Sequence, residues 1–176
     1  EYFRAAFEAV KEATEKAGVD VIVNLTTSGG ENDDNLRMEH LRQLRPEVCS
    51  YDAGTFNWAL GGVFENRPDF LVELGKTTQQ FDIKPEIEVF DAGMLSNAIA
   101  YSNYKVLKTP CHFQFVLGVL GAMDGSVENL EYLHRRLPEG STWSVTGIGR
   151  AHMPMLLTGL ALGCDGLRVG LEDNLY

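Results

Sequence analysis

The densest chemistry in the sequence lies near its C-terminal end, in Gly166-Leu167-Arg168-Val169-Gly170-Leu171-Glu172-Asp173-Asn174. Read as a strand, this segment puts Arg168 and Glu172 on one face, and Gly170 between them adds no side chain to fill it. A guanidinium beside a carboxylate favours its ionised form, and Glu172 or Asp173 offers oxygen to a hard or borderline cation. A structural Arg–Glu pair on a strand rim is the competing use of the same residues.

A second acidic strand is predicted at Glu86-Ile87-Glu88-Val89-Phe90-Asp91. Alternation points Glu86, Glu88 and Phe90 to one side and Ile87 and Val89 to the other. Inward carboxylates of this kind need a cation, a hydrogen-bond network or a substrate, because an unpaired buried charge is costly; an edge strand with solvated Glu residues is the alternative. The run Thr26-Thr27-Ser28-Gly29-Gly30 joins hydroxyls to two glycines, a pattern that can turn several N–H groups toward a carboxylate or phosphate. It also fits a plain strand-to-helix turn with a Ser cap. Gly147-Ile148-Gly149-Arg150 runs into a helix and suits a phosphate in the same weak sense. The histidines give no HxH or HExxH pair, so the chain holds too few ligands of its own for a metal centre.

The elements that must carry these residues alternate regularly. Strands are expected at 19–25, 48–52, 85–90, 112–119, 142–148 and 166–171. Helices are expected at 2–17, 34–45, 68–81, 94–105, 126–137 and 151–162. No Asn-Gly hairpin signal separates two strands, so the sheet should be parallel with helical crossovers. Strands recur on the order of every 30 residues, which suits the βα units of a (β/α)₈ TIM barrel as well as an open doubly wound sheet. A chain that starts on a helix and stops on a strand looks like a slice of a repeating ring. The expectation is therefore one α/β domain over residues 1–176, holding about six units of a (β/α)₈ barrel, with the first strand and the last unit outside it.

Composition narrows the classes. Fifteen basic against twenty-five acidic residues give a formal charge of −10, with no cationic cluster for nucleic acid. No apolar run reaches the roughly 18 residues that span a bilayer. Three widely spaced cysteines exclude a disulfide framework and fit a reducing cytoplasm.

The ordered series TTSGG, YDAGTFNW, KPEIEVFDAGM, FVLGVLGAMDG, WSVTGIGR and DGLRVGLEDN resembles the β-keto acid cleavage enzymes over essentially the whole chain. What the resemblance implies is a zinc-dependent barrel enzyme; large barrel surfaces of this kind often self-associate, so a homo-oligomer is expected. It would convert a β-keto acid and acetyl-CoA into acetoacetate and a new acyl-CoA by a Claisen/retro-Claisen exchange. Carried over motif by motif, Glu172 takes the place of a metal ligand, the remaining His-x-His ligands being expected upstream of Glu1. Asp173 takes the place of the general base and Arg168 that of its orienting partner. Thr27 or Ser28, with Gly29 and Gly30, matches the loop that grips the substrate carboxylate, and Thr55 matches a further hydroxyl. Glu88, or in its stead Glu86, matches a site carboxylate. Another metal-assisted barrel lyase or aldolase, or a metal-free fragment that keeps only the carboxylate loop, would use the same residues.

Overall fold

The computed structural model describes residues 1–29 and 32–175. In chain order its elements are α1 (Tyr2–Ala17), β1 (Asn24–Leu25), α2 (Asp34–Leu44), β2 (Val48–Asp52), β3 (Phe56–Trp58), β4 (Gly62–Phe64), α3 (Pro68–Phe81), β5 (Lys84–Val89), α4 (Ala92–Asn103), β6 (His112–Leu117), α5 (Val127–His134), β7 (Thr142–Gly147), a single 3₁₀ turn at Gly149–Ala151, α6 (His152–Ala161) and β8 (Gly166–Leu167). Helix starts follow their local chemistry. The carboxylates of Asp33 and Asp91 accept backbone N–H bonds from Asn35 and Met94, the Ser126 hydroxyl accepts one from Asn129, and Pro68 opens α3.

Six strands form one sheet in the order β1-β2-β5-β6-β7-β8, and every neighbouring pair is parallel. Register fixes the faces. Asp52, Glu88, Gln114, Ser144 and Gly166 stand side by side across five strands, and Ser50, Glu86, His112 and Thr142 form the row below. The alternate residues Tyr51, Ile87, Val89, Phe113, Phe115 and Val145 are all 0% exposed and form the core beneath the helices with Leu74, Leu95, Leu130 and Met155. The hydrophobic core is thus the outer layer of the sheet, and the inner face is polar. Residues of both end strands, Asn24 and Gly166, line one cavity to which, among the described residues, no helix residue contributes. A flat sheet with helices on both faces has no such hollow. The six strands are a curled arc of a (β/α)₈ barrel, and the expected parallel α/β class holds.

Three features depart from the expected elements. The first strand is confined to Asn24–Leu25, because β1 pairs only with β2 and through only two residues. The last strand stops at Leu167 instead of Leu171: the N–H groups of Asp173 and Asn174 both donate to the Gly170 carbonyl, so Glu172 and Asp173 sit in a turn. Between β2 and α3 lies an antiparallel hairpin, β3–β4, in a region expected to be a loop. Its strands are three residues each, too short for periodicity to register, and the turn uses Gly61-Gly62 without Asn-Gly.

Gly147 closes β7 under the start of α6. A Cβ there would stand 2.2 Å from the Ala151 carbonyl oxygen and 2.9 Å from the His152 nitrogen, both backbone atoms. Gly147→Ala is therefore expected to cost about 1–3 kcal/mol by overpacking, read as a lowered urea midpoint at unchanged slope.

Candidate active site

The inner face and the loops at the strand C-terminal ends enclose a cavity of about 920 Å³. Arg168 is its organising cation. It follows β8 directly, its backbone N–H donating to the Val145 carbonyl at 3.0 Å. Its Nε and one terminal nitrogen each donate to an Asp173 oxygen at 2.9 Å, a two-bond fork that fixes the carboxylate plane. The other terminal nitrogen donates to Glu88 Oε2 at 3.2 Å, and Glu172 Oε2 lies 3.1 Å from the guanidinium. The turn after Gly170 gives the two acidic neighbours opposite environments. The Asp173 side chain is 5% exposed and the Glu172 side chain 85%. Asn174 locks the turn in place, accepting from the Gly149 N–H at 2.7 Å and donating to the Gly147 carbonyl at 3.0 Å.

Glu88 and Asp52 are register partners on adjacent strands. Burial pushes the Glu88 carboxyl well above the usual carboxylate range, the Asp52 charge adds to that, and Arg168 opposes it. Burial likewise raises Asp52, against a hydrogen bond from Ser28 and the charges of Arg37 and Arg168. Two buried acids this close favour a shared proton over two full charges. Arg168 loses stability to burial, yet the carboxylates of Glu88 and Asp173 outweigh that and hold it above its ordinary value.

The loop after β1 divides its hydroxyls. Thr27 is 1% exposed and turns away from the cavity; its hydroxyl donates to the Ser50 carbonyl at 3.0 Å and its N–H to Ser50 Oγ at 2.9 Å. Thr26 and Ser28 line the cavity, and the Ser28 hydroxyl donates to Asp52 Oδ2 at 3.1 Å. Gly29 has φ +121°, a conformation that L side chains rarely adopt. Gly30 lies outside the described residues. Thr55 does not line the cavity either, because its Oγ1 accepts the Asn66 N–H at 2.8 Å and so braces the hairpin's return. Glu86 lies one layer below Glu88, where it accepts from Asn24 Nδ2 at 2.6 Å and has His112 Nε2 3.7 Å away. Of the two candidates, Glu88 is the one that meets Arg168.

Sequence reasoning gave Asp52 no role beyond its place at a strand end, and passed over Arg37. The Arg37 guanidinium, buried on the Phe70 ring at 3.7 Å, donates to the Thr27 carbonyl at 2.9 Å and to Asn66 Oδ1 at 2.6 Å. It holds the hydroxyl loop from behind. Asp52 carried one legible signal, its position at the C-terminal end of a strand, where parallel α/β folds place ligands.

Ser28→Ala removes a donor that favours the charged form of Asp52, so its pKa is expected to climb further. An acid raised in the folded state loses stability as pH increases from its unfolded value to its folded one. In the variant that loss should therefore extend to higher pH, and a carboxyl ¹³C titration of Asp52 reads the shift directly.

Among the described residues no group of three His, Cys, Asp or Glu is placed to hold a metal ion. Glu172 offers a single carboxylate, whose Oε2 is paired with Arg168. The residues present do not by themselves fit a zinc centre.

The fold agrees with the comparisons to known proteins. The beta-keto acid cleavage enzyme family matches residues 1–176, and the chain belongs to that family. A 3-keto-5-aminohexanoate cleavage enzyme of Fusobacterium nucleatum subsp. nucleatum is 38% identical over 100% of this chain and 62% of its own length. A 3-oxoadipate:acetyl-CoA acetyltransferase of Cupriavidus necator is 35% identical over 96% of the chain and 59% of its own length. ObcA, solved as a ternary complex with a C4-CoA adduct and oxalate, superposes with a TM-score of 0.74 at 25% identity, covering 88% of this chain and 43% of ObcA. The chain thus spans about three fifths of the curated relatives' length.

Proposed function

We propose that the protein carrying this chain exchanges acyl groups between a β-keto acid and acetyl-CoA, releasing acetoacetate and a new acyl-CoA. The observation that carries the reading is the Arg168–Asp173 fork on a cavity at the strand C-terminal ends, with Asp173 sheltered and Glu88 on the same guanidinium. Family membership and relatives named for acetyl-CoA-dependent transfer support the same chemistry.

The steps follow from the acidity of the substrate. The carbon between the ketone and carboxylate is the most acidic in a β-keto acid, and Asp173, oriented by Arg168, takes its proton. The resulting carbanion attacks the thioester carbonyl of acetyl-CoA, and the CoA thiolate leaves. The thiolate then attacks the original ketone. The bond between that ketone and the acidic carbon breaks, Asp173 returns the proton, and acetoacetate separates from the new thioester. In this reading the Ser28 hydroxyl turns from Asp52 to the substrate carboxylate, which the backbone at Gly29 also binds, and Glu88, held protonated by burial, donates to a substrate oxygen.

Zinc, which the family likeness implies, calls for ligands beyond Glu172. The same reading puts the enzyme in the cytoplasm, supported by three free cysteines, and makes it self-associating, supported by exposed Met153, Leu157 and Leu160 on α6.

The test is turnover of a β-keto acid by the full-length protein with and without acetyl-CoA. Consumption that requires acetyl-CoA and releases one acyl-CoA per acetoacetate is expected. Cleavage without the thioester would mark a simple lyase or aldolase, and binding without turnover a ligand-binding module.

A further inference from the structure

The cavity has two chemically different walls. One is the charged set around Arg168. The other is apolar, and the hairpin that interrupts the βα alternation builds much of it. Phe56, 5% exposed, anchors that hairpin, with its ring 5.0 Å from Phe90, 5.2 Å from Phe64 and 4.9 Å from Trp58 between centroids. The loop after β6 pins it from outside: the Ala59 N–H donates to the Leu120 carbonyl at 3.2 Å. Gly121 passes so close that a Cβ would stand 1.8 Å from the Asn57 carbonyl oxygen. Trp58, Phe64, Phe90, Leu120 and Ile148 line the cavity from this side, and Trp58 and Leu120 remain 39% and 65% exposed. A preformed apolar surface on a polar cavity is a binding feature, since folding alone gains nothing from leaving it uncovered.

We propose that this wall receives the part of the β-keto acid beyond its ketone and selects an uncharged, apolar substituent, aliphatic or aromatic. The inference rests on reading the cavity as a β-keto acid site. A second carboxylate in the substrate would need a cation, and the one Lys or Arg lining the cavity among the described residues is Arg168, already engaged by Asp173, Glu88 and Glu172. A quaternary ammonium would need several open ring faces around it. Here Phe56, Phe64 and Phe90 pack on one another, with Phe64 and Phe90 5.8 Å apart, so their faces are largely spent. A primary ammonium would need acceptors, which the side chains of this wall do not offer.

The experiment measures kcat/KM of the full-length protein at saturating acetyl-CoA for 3-oxopentanoate, 3-oxohexanoate and 3-oxooctanoate, beside 3-oxoadipate and 5-amino-3-oxohexanoate. Each added methylene should raise kcat/KM by about fourfold until the wall is filled, the factor for burying one CH₂. The two charged substrates should fall at least roughly tenfold below 3-oxohexanoate. Trp58→Ala should flatten the chain-length series and leave the KM for acetyl-CoA unchanged. Leu120→Ser changes a side chain that is 65% exposed and keeps the backbone carbonyl that holds Ala59, so it should weaken the same trend. Preference for either charged substrate overturns the inference alone. So does a pair of variants that changes only the KM for acetyl-CoA, since the wall would then serve the thioester. Turnover of none of the five acids overturns the functional reading and this inference with it.

Discussion

Asp173→Asn is expected to slow turnover by about 10²–10⁴-fold, the scale on which a lost general base is felt. The substitution keeps the size of the side chain and removes the proton acceptor. Asp173 now presents both oxygens to Arg168 at 2.9 Å, and its side chain is 5% exposed, so no water can readily replace it. The groups assigned to substrate binding, Ser28 and Gly29, lie on a different strand end and are untouched. The loss should therefore appear equally in kcat and kcat/KM, the signature of an interaction made in the transition state. Steady-state kinetics checks this. A variant with near-normal kcat, or one impaired only in KM, would remove Asp173 from the role of base.

Arg168→Met should be worse, since it affects both activity and folding. Three carboxylates converge on this guanidinium, two of them on side chains only 11% and 5% exposed. Removing the cation leaves Glu88 and Asp173 buried without a partner. Breaking a fully buried pair costs roughly 3–5 kcal/mol, and here that is an upper bound because Glu88 can remain protonated. Activity should fall at least as far as in Asp173→Asn, and the double variant should be little worse than either single one, as for groups that act as a unit. Arg168→Lys separates the two effects. It keeps a charge and loses the planar fork, so the urea midpoint should largely recover and turnover should not. Recovery of both would show that Asp173 needs charge nearby and no particular orientation.

The contrast between two acidic segments shows what the sequence made legible. On β5, alternation alone placed Glu86, Glu88 and Phe90 together, and all three line the cavity while Ile87 and Val89 are 0% exposed. Period-two geometry sufficed there because the strand is long and paired on both sides. At the C-terminal end the same rule placed Arg168 and Glu172 on one strand face. The two do meet, at 3.1 Å, but through a turn closed by hydrogen bonds to Gly170, and that turn buries Asp173 while Glu172 lines the same cavity largely exposed. Nothing in local periodicity encodes such a turn. Asp52 was hidden for another reason. Its neighbours, Ser28 and Glu88, come from other strands, and only register brings them together. The Thr26-Thr27-Ser28 run read as a uniform row of hydroxyls, whereas alternation gives Thr27 to Ser50 and Ser28 to Asp52.

The central claim, that this cavity performs a Claisen exchange, has a direct isotopic readout. Acetyl-CoA labelled with ¹³C at both acetyl carbons is supplied to the full-length protein with an unlabelled β-keto acid. The carbanion of the keto acid attacks the labelled carbonyl, so the two labels must become carbons 3 and 4 of acetoacetate, and the new acyl-CoA must carry none. Unlabelled acetoacetate, or label in the new acyl-CoA, would contradict the account.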